Sequence, residues 1–290
     1  MGNSRTTEWL LWGLIPVAAA VSIIQGLHVS NFVNLNGPSM LVIVSVIFVF
    51  IHGYRRYGWK DLSIFFLIAV VVGNFYENLS IATGFPFGNY HYSDQLGPKF
   101  IDAPYILNIA YFQMLYLSWT MAGAILDNYA NRLQGSSLIA LPLVASCIMV
   151  MWDMVIDPHM STISGHWIWH QGGAYFGVPF VNYMGWFLCV LTMNILFALY
   201  LSKRGAKTAP AIVFTKSFWI QAVCLYLTWP LAFLIKGFCI PDATVMSQDG
   251  HLWHVRDLYQ TAGLVAILTM CFVALLVFIK VASLKHAAES

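Results

Sequence analysis

The stretch SSLIALPLVASCIMVMWDMVID, residues 136–157, decides what kind of protein this is. About 20 consecutive, mainly apolar residues, at a rise of about 1.5 Å each, cross the roughly 30 Å hydrocarbon core of a bilayer as a helix. This run nevertheless carries two acids, Asp153 and Asp157, at i, i+4 near its C-terminal end. That spacing places both on one helix face. Pro158 follows directly and predicts a helix end there. A charged side chain at mid-bilayer costs about 2.5–3.5 kcal/mol on insertion scales, so such residues face a bundle interior and are functional by default.

The pattern recurs on both sides. The chain has 290 residues, 59% hydrophobic and only 9% charged, where a soluble domain carries about 25% charged residues. Apolar runs predict helices over 9–28, 39–58, 60–83, 104–126, 136–157, 181–202, 212–238 and 257–283. Turn residues separate them: Asn36-Gly37-Pro38, Gly84, Gly97-Pro98, Gly135, Pro158, Pro179 and Pro241. No hydrophilic stretch is long enough for a separate domain. The expected fold is all-α, a single polytopic transmembrane helical bundle of about eight helices over residues 1–290. A net charge of +2 offers no basic face to nucleic acid. The first run, Trp9 to about Leu27, is longer than a signal-peptide core and reads as a retained helix. The start Met-Gly-Asn-Ser-Arg-Thr fits a loose myristoylation pattern, but an anchor adds little to a spanning chain. Cys147, Cys189, Cys224, Cys239 and Cys271 form no CxxC pair and read as small packing residues.

Lysine and arginine set the orientation. With both termini cytoplasmic, the inner segments hold Arg5, Arg55, Arg56, Lys60, Arg132, Lys203, Arg204, Lys207, Lys216, Lys280 and Lys285, and the outer side only Lys99, Lys236 and Arg256. The inner connections are short and basic. The outer ones, after the third, fifth and seventh helices, are long and rich in aromatic, His and acidic residues, which argues for function over disorder.

Glu77 joins the two aspartates. It lies about six residues before the outer end of the third helix and shares a face with Asn74. If the third and fifth helices pack together, three carboxyls converge beneath the aromatic loops. Asn74 and Asn78 also read as residues that pin helices by hydrogen bonding, and Asp157 as a solvated helix end. His91, His159, His166, His170, His251 and His254 all fall on the outer side, but their spacing matches no zincin pattern and no metal site is expected. Trp152, Trp167, Trp169, Trp186 and Trp253 fit an interfacial belt as well as a pocket. Lys236, in the last third of its helix, reads as a snorkelling lysine in preference to a Schiff-base lysine.

Buried carboxyls beside aromatic rings suit one reaction type. A carboxyl kept protonated by burial can protonate an isolated carbon–carbon double bond. Aromatic faces stabilise the resulting tertiary cation, by about 2 kcal/mol or more each when desolvated. A second carboxylate then orients water or removes a proton. An apolar polyene can enter sideways from the bilayer, and no cofactor motif is present.

Glu77, Gly84-Phe-Pro-Phe-Gly-Asn-Tyr-His-Tyr-Ser-Asp-Gln-Leu-Gly-Pro98, Trp152-Asp-Met-Val-Ile-Asp-Pro158, Trp167-Ile-Trp169, Gly173-Ala-Tyr-Phe-Gly-Val-Pro179 and Asn182-Tyr-Met-Gly-Trp186 together resemble the membrane carotenoid-biosynthesis family, which includes hydratases of γ-carotene and bisanhydrobacterioruberin. The resemblance runs from the third through the sixth helix. It implies a cofactor-independent hydro-lyase of a bacterial or archaeal cell membrane, adding water to the terminal double bond of an acyclic carotenoid end to give a tertiary alcohol. Its matching polar residues are Glu77, Tyr90, Tyr92, Asp94, Asp153, Asp157 and Asn182. Together with the chemistry above, Glu77, Asp153 and Asp157 are the catalytic candidates. Asn74, Tyr90, Tyr92, Asp94, Trp152, His159, Trp167, Trp169, Tyr175, Asn182 and Trp186 are the substrate-binding candidates. The expected partners are the polyene, water and membrane lipid. An end-group cyclase or isomerase would begin with the same protonation; a transporter or chromophore-binding protein is the non-enzymatic alternative. The contribution of His251, Trp253 and His254 stays open.

Overall fold

The computed structural model describes residues 2–27, 37–129, 133–204 and 209–284. Arg132, Lys207 and Lys285 of the charge count, with Asn36 of the first turn, lie outside them. The helices are α1 (Gly2–Gly26), α2 (Gly37–Thr83), α3 (Tyr105–Ile125), α4 (Ser137–Pro158), α5 (Phe180–Ser202), α6 (Lys216–Cys239), α7 (Val255–Ala266) and α8 (Phe272–Ala282). A wide π turn, Ile267–Cys271, runs α7 into α8 as one rod. Among the described residues, six helices are long and apolar enough to cross a membrane.

The longest of these, 44 residues over Met40–Thr83, would reach about 66 Å if straight, twice a bilayer core. It is a hairpin. Gly58 has φ 72° and ψ 171°, a conformation essentially restricted to glycine. The Phe50 and Phe66 rings, which a straight helix would hold about 24 Å apart, meet at 5.6 Å. The two arms match the helices expected over 39–58 and 60–83. α3 is not among the six. Asn108, Gln113, Ser118 and Thr120 dilute its hydropathy, and all four are buried. It packs against α2, α4, α6 and α8, and past its first turns, from Tyr111 to Ala124, it is buried all round, as a helix at a bundle's centre is.

The bundle has two unlike ends. At one, basic side chains tie the turns together: Arg56 donates to Asn128 O, Lys280 to Asp127 Oδ2 at 2.5 Å, Lys216 to Ala282 O, and Arg204 pairs with Asp61. At the other lie short strands: β1 (Tyr90–Tyr92), β2 (Lys99–Phe100), β3 (Ala103–Pro104), β4 (Trp167–Trp169), β5 (Thr244–Met246) and β6 (Leu252–His254). β1 pairs antiparallel with β4, Tyr90 opposite Trp169 and Tyr92 opposite Trp167. Successive side chains of a strand alternate faces, so these four rings share one face of the ribbon, turned toward the bundle. A methyl group at Gly185 would lie 2.5 Å from Pro86 O; glycine there lets the loop leading to β1 rest directly on α5.

Pro158 does not end its helix. The chain continues through a π turn, His159–Ile163. Proline has no N–H for the carbonyl four residues back, and the Tyr175 hydroxyl donates to that carbonyl, Met154 O, at 3.2 Å.

Candidate active site

Beneath the β1–β4 ribbon lies a cavity of about 310 Å³. Glu77 reaches it from the second arm of α2, Tyr111 from α3, Asp153 and Asp157 from α4, Asn182 and Trp186 from α5, and Trp229 and Lys236 from α6. Phe87, Trp152, Trp167 and Trp169 supply much of its aromatic wall.

The three acids, each at most 5% exposed, have different surroundings. Glu77 is caged by tyrosines: Tyr90 and Tyr92 donate to Oε2, the latter at 2.7 Å, and Tyr111 donates to Oε1. Burial, and then the Glu77 carboxyl itself, hold the phenols of Tyr90 and Tyr92 well above their usual range, so both remain donors. Asp157 is bound at both oxygens, Oδ1 accepting from Trp167 Nε1 at 2.6 Å and Oδ2 from Asn182 Nδ2 at 2.5 Å. Asp153, one turn earlier, is buried with Oδ2 lacking any hydrogen-bond partner. The rings pack on one another: Trp186 against Phe87 at 4.9 Å and Tyr111 at 4.5 Å, Trp152 edge-on to Trp229 at 5.5 Å.

Of the residues singled out in the sequence, Glu77, Tyr90, Tyr92, Trp152, Asp153, Asp157, His159, Trp167, Trp169, Asn182 and Trp186 line this cavity. Three do not. Asn74 Nδ2 bonds Asn108 Oδ1 at 2.7 Å and so pins α2 to α3. Asp94 is fully exposed on the rim, paired with Lys99. Tyr175 sits behind α4, bonded to Met154 O. His251, Trp253 and His254 belong to the β5–β6 hairpin and bond locally, to Asp249, Ser247 and Asp242. His91 and His170 form an exposed pair at 2.9 Å. Among the described residues, no three or more His, Cys, Asp or Glu side chains gather to hold a metal.

Three contributors went unread in the sequence. Tyr111, Trp229 and Phe233 look like ordinary core aromatics of apolar helices. Lys236 departs from the snorkelling expected of it. It does not snorkel: the residue is 8% exposed and lines the cavity. The start of α7 covers it, because Gly237 lets the backbone at Tyr259 and Gln260 come within 3.4 Å of where a Cβ would stand.

No solved structure matches the chain. A bisanhydrobacterioruberin hydratase of Haloarcula japonica is 29% identical over 132 residues, 45% of this chain and 43% of the relative. The chain thus matches less than half of that relative's length. The family model for carotenoid biosynthesis proteins matches residues 37–246. That stretch contains every helix that brings a carboxyl to the cavity, and the chain belongs to the carotenoid biosynthesis protein family, as a membrane protein of apolar helices.

Proposed function

We propose that the protein is a carotenoid hydratase that adds water across the terminal double bond of an acyclic polyene end. The observation that carries this reading is the difference among three buried carboxyls around one aromatic cavity, with Asp153 Oδ2 alone unengaged by protein. An ionised oxygen without donors is strongly disfavoured in an apolar interior, so Asp153 serves as the neutral acid. Its proton adds to the less substituted carbon; the π pair forms the new C–H bond and leaves a tertiary cation. The rings of Trp152, Trp186 and Trp229 shelter that cation. Glu77, with three phenol donors, is the fixed negative charge beside it. Asp157, held by Trp167 and Asn182, orients the water whose oxygen forms the C–O bond; the proton that water loses restores the acid at Asp153.

A cavity of about 310 Å³ accommodates an end group and not a whole carotenoid, so the remaining polyene lies along the bundle in lipid. We read the rods, with α2 counted as two and α7–α8 as one, as eight spans. The basic end is cytoplasmic and the cavity faces the other side, on the excess of Lys and Arg at one end. The similarity to a hydratase supports the reaction class. Expression in a host that accumulates acyclic carotenoids tests it: the expected product is heavier than its precursor by one water. An isomer of unchanged mass would mark cyclisation instead, and unaltered pigment despite membrane expression would refute both.

A further inference from the structure

A second hollow, of about 200 Å³, adjoins the cavity at the ribbon end of the bundle. Its walls are rich in hydroxyl and amide groups. Ser161 and Thr162 reach it from the π turn after Pro158, Ser164 from the bend that follows, and Ser247 and Gln248 from the β5–β6 hairpin. Gly177 seats the hairpin closely, since a Cβ there would stand 2.7 Å from Thr162 Oγ1 and 2.9 Å from Ser247 Cβ. Trp253 packs its ring on Phe176 at 5.1 Å and donates to Ser247 Oγ at 2.9 Å, which fixes that hydroxyl in place. At about 30 Å³ per molecule, the hollow has room for several waters.

Ser164, Trp167 and Trp169 line both the hollow and the cavity, so these side chains alone part the two. Polar atoms mark the partition. Ser164 Oγ lies 3.5 Å from His159 Nε2, on the cavity side. His166 Nδ1 and Trp169 Nε1 are buried, and neither has a hydrogen-bond partner among the described residues. Buried polar groups left unmade are costly, and water is held where about two to four such groups surround it. Trp167 carries the partition to the reacting groups, because its Nε1 donates to Asp157 Oδ1 at 2.6 Å. We propose that this is the route by which water reaches the cavity: it collects in the hollow beneath the β5–β6 hairpin, passes Ser164 and arrives at Asp157. The inference rests on the hydratase reading above and deepens it, assigning Ser164 and the hairpin to the supply of one substrate. An aromatic wall favours hydrocarbon over water, so water that must meet a cation needs a polar path of its own. A cation that meets no water returns a proton to a carboxylate and leaves as an unhydrated alkene. The route therefore sets the ratio of alcohol to alkene isomer.

The test uses the full chain in liposomes with an acyclic carotenoid, and reads alcohol and unhydrated isomer separately. Ser164→Leu fills the junction with an apolar side chain. The ratio of alcohol to isomer is expected to fall several-fold, while consumption of the carotenoid falls less. A second arm blocks the hollow after folding is complete, and it decides the matter should Ser164→Leu fold poorly. Gln248 is exposed at the hollow. Gln248→Cys is placed in a chain whose exposed Cys147 and Cys239 are changed to serine, and is then modified with a bulky methanethiosulfonate. The same fall in ratio is expected, with recovery when dithiothreitol removes the group, and no fall in the parent chain with Gln248 intact. A ratio unchanged in both arms, or alcohol and isomer falling in equal proportion, overturns the route and leaves the hydratase reading standing. Absence of alcohol from the unmodified wild type overturns both.

Discussion

Asp153 and Asp157 stand one helical turn apart on the same face of α4, yet Asp157 has both oxygens bound by Trp167 and Asn182 while Asp153 keeps Oδ2 without a partner. Equal side chains in unequal surroundings take different roles, and acid–base enzymes divide their labour in this way.

The first consequence concerns Asp153. Asp153→Asn keeps the shape and removes the transferable proton. Alcohol formation is expected to fall about 10²- to 10⁴-fold, the usual worth of a positioned acid. Membrane content, checked by immunoblot, should stay near wild type. A loss of less than a few-fold would show that the proton comes from elsewhere.

Asp157 is expected to govern the fate of the cation more than its formation. In Asp157→Asn, and more mildly in Asn182→Ala, the product should shift from alcohol toward unhydrated isomers, with total substrate consumption reduced less than in Asp153→Asn. Separation of products by mass and retention time reads this partition. A uniform fall with an unchanged product ratio would contradict it.

Tyr111→Phe removes the donor to Glu77 Oε1. A hydrogen bond to a charged group is worth about 1.5–3 kcal/mol, so thermal unfolding in detergent should begin several degrees lower, and turnover should drop with it. Tyr105→Phe, on an exposed ring of the same helix, serves as the control. Equal stability of the two variants would argue that Glu77 is not ionised.

Gly58 holds the hairpin of α2 at φ 72°, ψ 171°. Gly58→Ala places a Cβ in a conformation that costs about 1–3 kcal/mol, although open space surrounds it. Reduced thermal stability with unaltered product identity is expected, since the turn lies at the end of the bundle away from the cavity. No change in stability would mean the backbone relaxes freely there.

Much of this architecture is legible in the sequence, for reasons particular residues make plain. Acids are expensive in apolar helices, so Glu77, Asp153 and Asp157 announced themselves, and all three meet in one cavity. The two arms of α2 match the helices expected over 39–58 and 60–83, although nothing in the sequence marked Gly58 as the turn. What stayed hidden depends on tertiary contact. Tyr111 in an apolar helix is indistinguishable from packing until Glu77 is seen beneath its hydroxyl. Nearness to the outer end of its helix made Lys236 look exposed, because sequence does not report that α7 folds across it. The continuation past Pro158 needed Tyr175, seventeen residues on, to supply the missing donor. The β1–β4 ribbon left a trace in the alternation Tyr90-His91-Tyr92 and Trp167-Ile168-Trp169, too short to claim as strands without the pairing itself.

The central claim is that water enters the product at a cation formed by this protein. Purified protein in liposomes, given an acyclic carotenoid in water labelled with heavy oxygen, tests it most directly. The account predicts one labelled oxygen per hydrated end, at the tertiary carbon, and none with Asp153→Asn. Consumption of the carotenoid without incorporation of label, or labelled alcohol formed equally well by Asp153→Asn, would contradict it.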